Sequence, residues 1–166
     1  MKFYNYHHAN DFIVAWFSLD VLDEPQKGKK VVILGDTCDT TEIAAFSQDA
    51  DYIVHEATME DSLKTKAIEY GHSTPSMAAK FAIKVKGRKL CLTHLSPRYK
   101  PISMVKPEET ETAHIIFAEA KKYLEENNAK DIQLVVAEDF FEDVVNKWFW
   151  KGKKQNISIL IFTYSS

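Results

Sequence analysis

The sequence predicts an α/β fold with a mostly parallel sheet, on two observations. Four short apolar runs, at residues 31–34, 52–55, 90–93 and 132–136, alternate with segments whose apolar residues recur at helical spacing. Each run then ends on, or is followed by, residues that can carry chemistry: Asp36, His55 with Glu56, His94, and Glu138 with Asp139. Strand, helix, strand is the repeating unit that makes neighbouring strands parallel.

The elements follow in order. Residues 31–34 (VVIL) read as a strand and 35–40 as a turn. Residues 40–48 (TTEIAAFSQ) read as a short helix capped by Thr40. A second strand spans 52–55. Residues 59–71 place Leu63, Ala67 and Tyr70 at helical spacing and stop at Gly71. Residues 73–87 open on Ser73-Thr74-Pro75, a helix start, with an apolar face of Met77, Phe81 and Val85. A third strand spans 90–93. The longest helix is expected at 106–128, with Glu108, Glu109 and Glu111 in its first turn, where the helix dipole favours acid. A fourth strand spans 132–136. The tail is less regular: it holds Trp148 and Trp150, a basic turn, and a β-like run at 157–164.

The 166 residues fit one domain with a real core. An apolar fraction of 45% and a charged fraction of 27% suit a soluble globular chain. No apolar run reaches the roughly 18 residues that cross a bilayer, so no membrane association is expected. The first residues, MKFYNYHHAN, lack a secretory pattern. Cys38 and Cys91 have no metal-type spacing and suit a reducing compartment, so the expected location is cytosol or nucleus. A net charge of −3 gives no general basic face for nucleic acid; basic residues gather only locally, at Lys29, Lys30, Arg98 and Lys100.

In an open α/β sheet, ligands bind beyond the carboxyl ends of the strands. Parallel strands would bring Asp36, His55, Glu56, His94, Glu138 and Asp139 to one rim. Carboxylate and imidazole together are metal-site donors. Any one of these residues could equally be a strand end meeting water. Four strands ending alike favour the metal reading. His114 beside Ile115 and Ile116 reads as a surface or core-edge histidine, and His7 and His8 as incidental.

The segments LGDT (34–37), VHEAT (54–58), GHSTPSMAAKFA (71–82) and LTHLSPRY (92–99) resemble ribonuclease Z. That family comprises zinc endonucleases which remove the 3′ trailer of precursor tRNA, within the metallo-β-lactamase superfamily. AEDF (137–140) resembles the end of its short form. The resemblance implies the C-terminal half of a metallo-β-lactamase αββα sandwich, mostly one sheet with flanking helices. It implies a single incomplete domain over 1–166, with a family-like core at about 20–140 and an atypical tail at 141–166. It also implies site roles. Asp36 would bridge two zinc ions, and His94 would bind the second. His72 would stabilise the scissile phosphate or protonate the leaving oxygen. Glu56 would orient His72 by accepting its other ring proton. Arg98, Ser73 and Thr74 would contact substrate phosphate, with Ser73 and Thr74 also able to cap the helix that follows. His55 reads as structural. Precursor tRNA is the implied partner, and the complete family enzyme is a homodimer.

The chemistry suits these residue types. Two metals about 3.5–4 Å apart lower the pKa of a bridging water and neutralise phosphate charge. The departing ribose oxygen then needs a proton, a task for an imidazole. The family's H-x-H-x-D-H motif, however, is absent, and none of the six histidines forms it. Asp36 and His94 alone predict weak or no zinc binding by this chain. Three readings follow: a zinc phosphodiesterase lacking part of its ligand set, a non-catalytic partner subunit, or a hydrolase of a small ester or phosphodiester. HEAT and HST together speak against the third.

Overall fold

A computed structural model describes residues 8–9, 12–13, 28–104, 112–150 and 153–161. Two short antiparallel strands, β1 (His8–Ala9) and β2 (Phe12–Ile13), come first. The centre is a four-stranded parallel sheet in the order β3 (Val31–Ile33), β4 (Tyr52–Glu56), β5 (Lys89–Thr93), β6 (Gln133–Val136). The crossover from β4 to β5 carries α1 (Lys64–Glu69) and α2 (Pro75–Lys84), and that from β5 to β6 carries α3 (Ala113–Glu126). The α/β fold read from the sequence is the fold observed.

Strand periodicity explains the two faces. Ile53, Leu90 and Leu92 point to the side where Ala78, Phe81, Ala82, Ile116 and Leu124 pack from α2 and α3. Tyr52, Val54, Cys91 and Ala137 form a second cluster on the opposite face. Every residue of β4 is buried, as expected of a central parallel strand. At Gly87 the backbone passes so close to β4 that a Cβ would lie 2.4 Å from Ile53 Cδ1.

Local chemistry sets the boundaries. Gly71, at φ +77°, ends α1 and lets the His72 N–H reach the Ala67 carbonyl at 2.7 Å. Pro75 starts α2, but Thr74 makes no side-chain cap. Asp61 does that work from a distance: it accepts the Ser76 N–H at 3.1 Å and the Ser76 hydroxyl.

The helix expected at 40–48 is instead a run of turns over 41–49. Asp39, not Thr40, holds its start, accepting from the Thr41 N–H at 2.9 Å and the Thr41 hydroxyl at 2.6 Å. The Ser47 hydroxyl and the Gln48 amide then bond to the Ile43 and Ala44 carbonyls, drawing on acceptors that a helix would use. The helix expected from 106 is observed from Ala113; its acidic first turn lies outside the described residues. So do residues 20–27, His7 and the end of the 157–164 run.

The tail forms an antiparallel pair, β7 (Phe141–Trp150) with β8 (Lys153–Ile161). Phe141 and Val145 pack on the second sheet face. Between them Asp143 accepts from the Tyr52 hydroxyl at 2.8 Å and pairs with Lys89 at 2.5 Å. Burial pushes the Asp143 carboxyl upward, but its bonds to Lys89 and Tyr52 outweigh that and hold it below the usual carboxylate range. Burial also pushes the Cys91 thiol beneath it up to about 11, which suits a packing role.

A carboxyl held down in the folded state contributes stability above its unfolded pKa and loses it as pH falls through the folded value. Asp143→Asn is therefore expected to cost about 1–3 kcal/mol at neutral pH. That deficit should vanish in acid, as followed by urea unfolding at several pH values.

Candidate functional site

Glu56 is the last residue of β4 and is fully buried. Its Oε1 accepts the Thr37 N–H at 3.3 Å and the Ser73 N–H. Its Oε2 accepts the Thr58 N–H at 2.9 Å and the Thr58 hydroxyl at 2.7 Å. One carboxylate thus binds the loop after β3, the loop after β4 and the loop between α1 and α2. Burial pushes its pKa up, and the four hydrogen bonds oppose that rise.

Those loops carry the rim side chains. Asp36 precedes Thr37, and His72 precedes Ser73. His94 follows β5 and adopts φ 53°, a left-handed conformation that costs a non-glycine residue energy. The bend carries its ring to Asp36, with Nδ1 at 3.1 Å from Oδ1. Asp36, His72 and His94 each offer one donor atom, all within 4.8 Å of one another. The His72 and His94 ring centroids are 5.7 Å apart. The Asp36 and His94 side chains are 55% and 43% exposed and the His72 side chain 20%, so the cluster opens to solvent.

One carboxylate oxygen and two imidazole nitrogens match the donor preference of zinc, and catalytic zinc sites commonly take three protein ligands. The donor set fits a metal ion.

The expected direct bond from His72 to Glu56 is not formed. His72 Nδ1 lies 3.8 Å from Glu56 Oε1, beyond hydrogen-bond reach. Both Glu56 oxygens are already taken, and Thr58 stands between the two groups. Its hydroxyl oxygen is 3.4 Å from His72 Nδ1 and 3.1 Å from His94 Nδ1. Thr58 is the residue that sequence reasoning passed over, although it closes the VHEAT segment.

The remaining expectations divide. Arg98 is exposed on the loop after His94 and is free of the core. Ser73 and Thr74 are 1% and 0% exposed. Ser73 gives its N–H to Glu56 and its hydroxyl to the Thr37 carbonyl, so it belongs to the framework. Neither is in a position to meet solvent or phosphate, and neither side chain caps α2. His55 is a core histidine, with Nδ1 at 2.7 Å from the Glu56 carbonyl and its ring against Phe81; burial lowers its pKa. Glu138 accepts from the Ser103 N–H and hydroxyl at 3.0 and 2.6 Å. Glu138 and Asp139 line a cavity of about 110 Å³ that shares His94 with the cluster.

Glu56→Gln should test the framework. An amide cannot accept at both positions where donors now point. The variant is expected to lose about 1–3 kcal/mol of stability. Amide exchange should accelerate at Thr37, Thr58 and Ser73 together; faster exchange at one of them alone would contradict the shared anchor.

No family model matches the chain. The human zinc phosphodiesterase ELAC protein 1 is 43% identical over 124 residues, covering 73% of this chain and 32% of that protein. A ribonuclease Z from Listeria monocytogenes is 49% identical over 80 residues, 48% of this chain and 26% of that protein. The crystal structure of human tRNase Z, short form, aligns with TM-score 0.47 and 31% identity over 69% of this chain and 32% of that one. The chain thus spans about a third or less of the length of these relatives.

Proposed function

We propose, on the premise that this chain is a relative of the ribonuclease Z enzymes over about three quarters of its length, that it acts in zinc-dependent hydrolysis of a phosphodiester at the 3′ trailer of precursor tRNA. The observation that carries this reading is the meeting of Asp36, His72 and His94 donors within 4.8 Å on the strand-end rim. The residues act as part of a metallo-β-lactamase-type domain, with Phe141 and Val145 of the tail packed on the second sheet face.

Asp36 and His94 would hold the metal ion. Zinc, when bound, supplies Lewis acidity and a water of lowered pKa. His72, nearer the protein interior, faces the same space and serves to place a proton on the departing oxygen or to steady the phosphate. Arg98 offers a planar fork of donors to a phosphate at the rim. Ser73 acts indirectly, by tying the loop that carries His72 to Glu56 and to the Thr37 carbonyl, and Thr74 is buried next to it. Asp36 and His94 do not complete a dinuclear ligand set, and H-x-H-x-D-H does not occur in the sequence. Residues bearing that motif would supply the rest.

A second reading, a non-catalytic partner subunit, draws on one observation. Val31 and Ile33 of edge strand β3 are 36% and 69% exposed, and nearby Phe46 is 77% exposed.

Incubation of the chain with precursor tRNA and zinc, alone and with the N-terminal part of a relative, separates the two. Cleavage in the mixture is expected. Its absence from both reactions would favour the partner reading. In the active mixture, His72→Ala should reduce turnover by about 10²–10⁴ while RNA affinity changes only a few-fold. Equal losses would remove the proton-transfer role.

A further inference from the structure

Thr58 has one hydroxyl proton and four polar neighbours. Glu56 Oε2 lies at 2.7 Å, the His94 carbonyl oxygen at 2.9 Å, His94 Nδ1 at 3.1 Å and His72 Nδ1 at 3.4 Å. The first two carry no hydrogen and can only accept. They are also the nearest, and one of them is a carboxylate, so the proton goes to an oxygen. The two ring nitrogens therefore meet the lone pairs of the hydroxyl. A bare Nδ1 there would set lone pair against lone pair, whereas an Nδ1–H donates.

The other groups near these nitrogens agree. His94 Nδ1 is 3.1 Å from Asp36 Oδ1, and His72 Nδ1 is 3.8 Å from Glu56 Oε1. Both are carboxylate oxygens, which accept and do not donate. No donor faces either Nδ1 among the contacts of the described residues.

We propose that Thr58 is a positioning residue that sets both rim imidazoles in one tautomer, with hydrogen on Nδ1 and a bare Nε2. The inference rests on reading His72 and His94 as working imidazoles, and adds the group that prepares them. The nitrogen that a histidine offers to a metal or a proton is decided by the bond its other nitrogen makes. Here a single hydroxyl makes that decision for two rings. It relays the buried Glu56 to both, where a direct bond could reach neither. Both Nε2 atoms are left as lone pairs, able to bind a cation or take up a proton.

A merely structural Thr58 would tie its loop to the His94 carbonyl and leave the tautomers indifferent to its hydroxyl. Thr58→Val keeps the branched shape and removes the hydroxyl. Thr58→Ser keeps the hydroxyl and removes a methyl. Nitrogen-15 NMR of the ring nitrogens distinguishes the two neutral tautomers. It is applied to the full chain, free of metal and RNA, at a pH where the imidazoles are neutral.

In the wild-type chain and Thr58→Ser, His72 and His94 are expected to be protonated at Nδ1. In Thr58→Val at least one ring should move toward Nε2–H, the form free histidine favours. Nε2–H at either ring in the wild type would overturn the proposal, as would unchanged tautomers in Thr58→Val. Should Thr58→Val fail to fold, the wild-type and Thr58→Ser spectra decide alone, since Nε2–H in either is fatal. The measurement uses no RNA and no turnover, so it can fail while the hydrolase reading stands, and the reverse.

Discussion

A buried carboxylate holds this molecule's working end together. Glu56 has no water to solvate it, and burying an unpaired charge is expensive. It is tolerated because four donors converge on it from three separate loops. A carboxylate suits the task better than an amide or a hydroxyl, since its two oxygens accept only and can take several donors at once. Two of the bonded N–H groups belong to Thr37 and Ser73, the residues directly after Asp36 and His72. Fixing those amides fixes where the two side chains emerge. His94 is held one step away, by the Thr58 hydroxyl oxygen that also touches Glu56.

The sheet gives that anchor a rigid base. β4 lies between two parallel neighbours and is buried on both faces, so its end has little freedom to move. Asp51 does a related job at the opposite end, joining Lys29 and the Lys30 N–H before β3 to Arg88 before β5. Those contacts are more exposed, and each contributes less. The left-handed backbone at His94 belongs to the buried end. A strained residue persists where its surroundings over-determine it, and His94 is gripped by Thr58 at its carbonyl and by Asp36 at its ring.

The strands were legible because buried parallel strands are continuous apolar runs, and the rim because those runs stop on acids and imidazoles. Asp36, His94 and Glu56 followed from that pattern, and their meeting follows from parallel topology. What escaped depended on contacts between distant segments. Thr74 looks like a helix cap, yet the bonds at that helix start go to Asp61, fifteen residues before Ser76. Residues 41–49 carry helical spacing, but Asp39, Ser47 and Gln48 bond the backbone locally and break the ladder. The family resemblance made Ser73 a phosphate contact; only burial shows that its hydroxyl is spent on the Thr37 carbonyl. Thr58 was invisible for a related reason. A threonine after a strand has no periodic signature, and its importance lies in four groups that one strand end and two loops bring to it.

The order of burial across the site has its own logic. Glu56 is sealed, His72 is 20% exposed, and Asp36 and His94 are about half exposed. Groups that must stay fixed are inside, where a hydrogen bond meets little competition from water. Groups that must exchange partners with a metal ion or substrate are outside, where losing one bond is cheap. Thr58 spans the two regimes, with its oxygen on the sealed carboxylate and on both rings. The inner acceptors, Glu56 and the His94 carbonyl, compete for the Thr58 hydrogen, and the hydroxyl oxygen turns its lone pairs to both Nδ1 atoms. The exposed Asp36 carboxylate puts negative charge at the solvent edge of the cluster, which favours a cation there. Arg98, exposed on the same loop as His94, sets a positive group beside that rim.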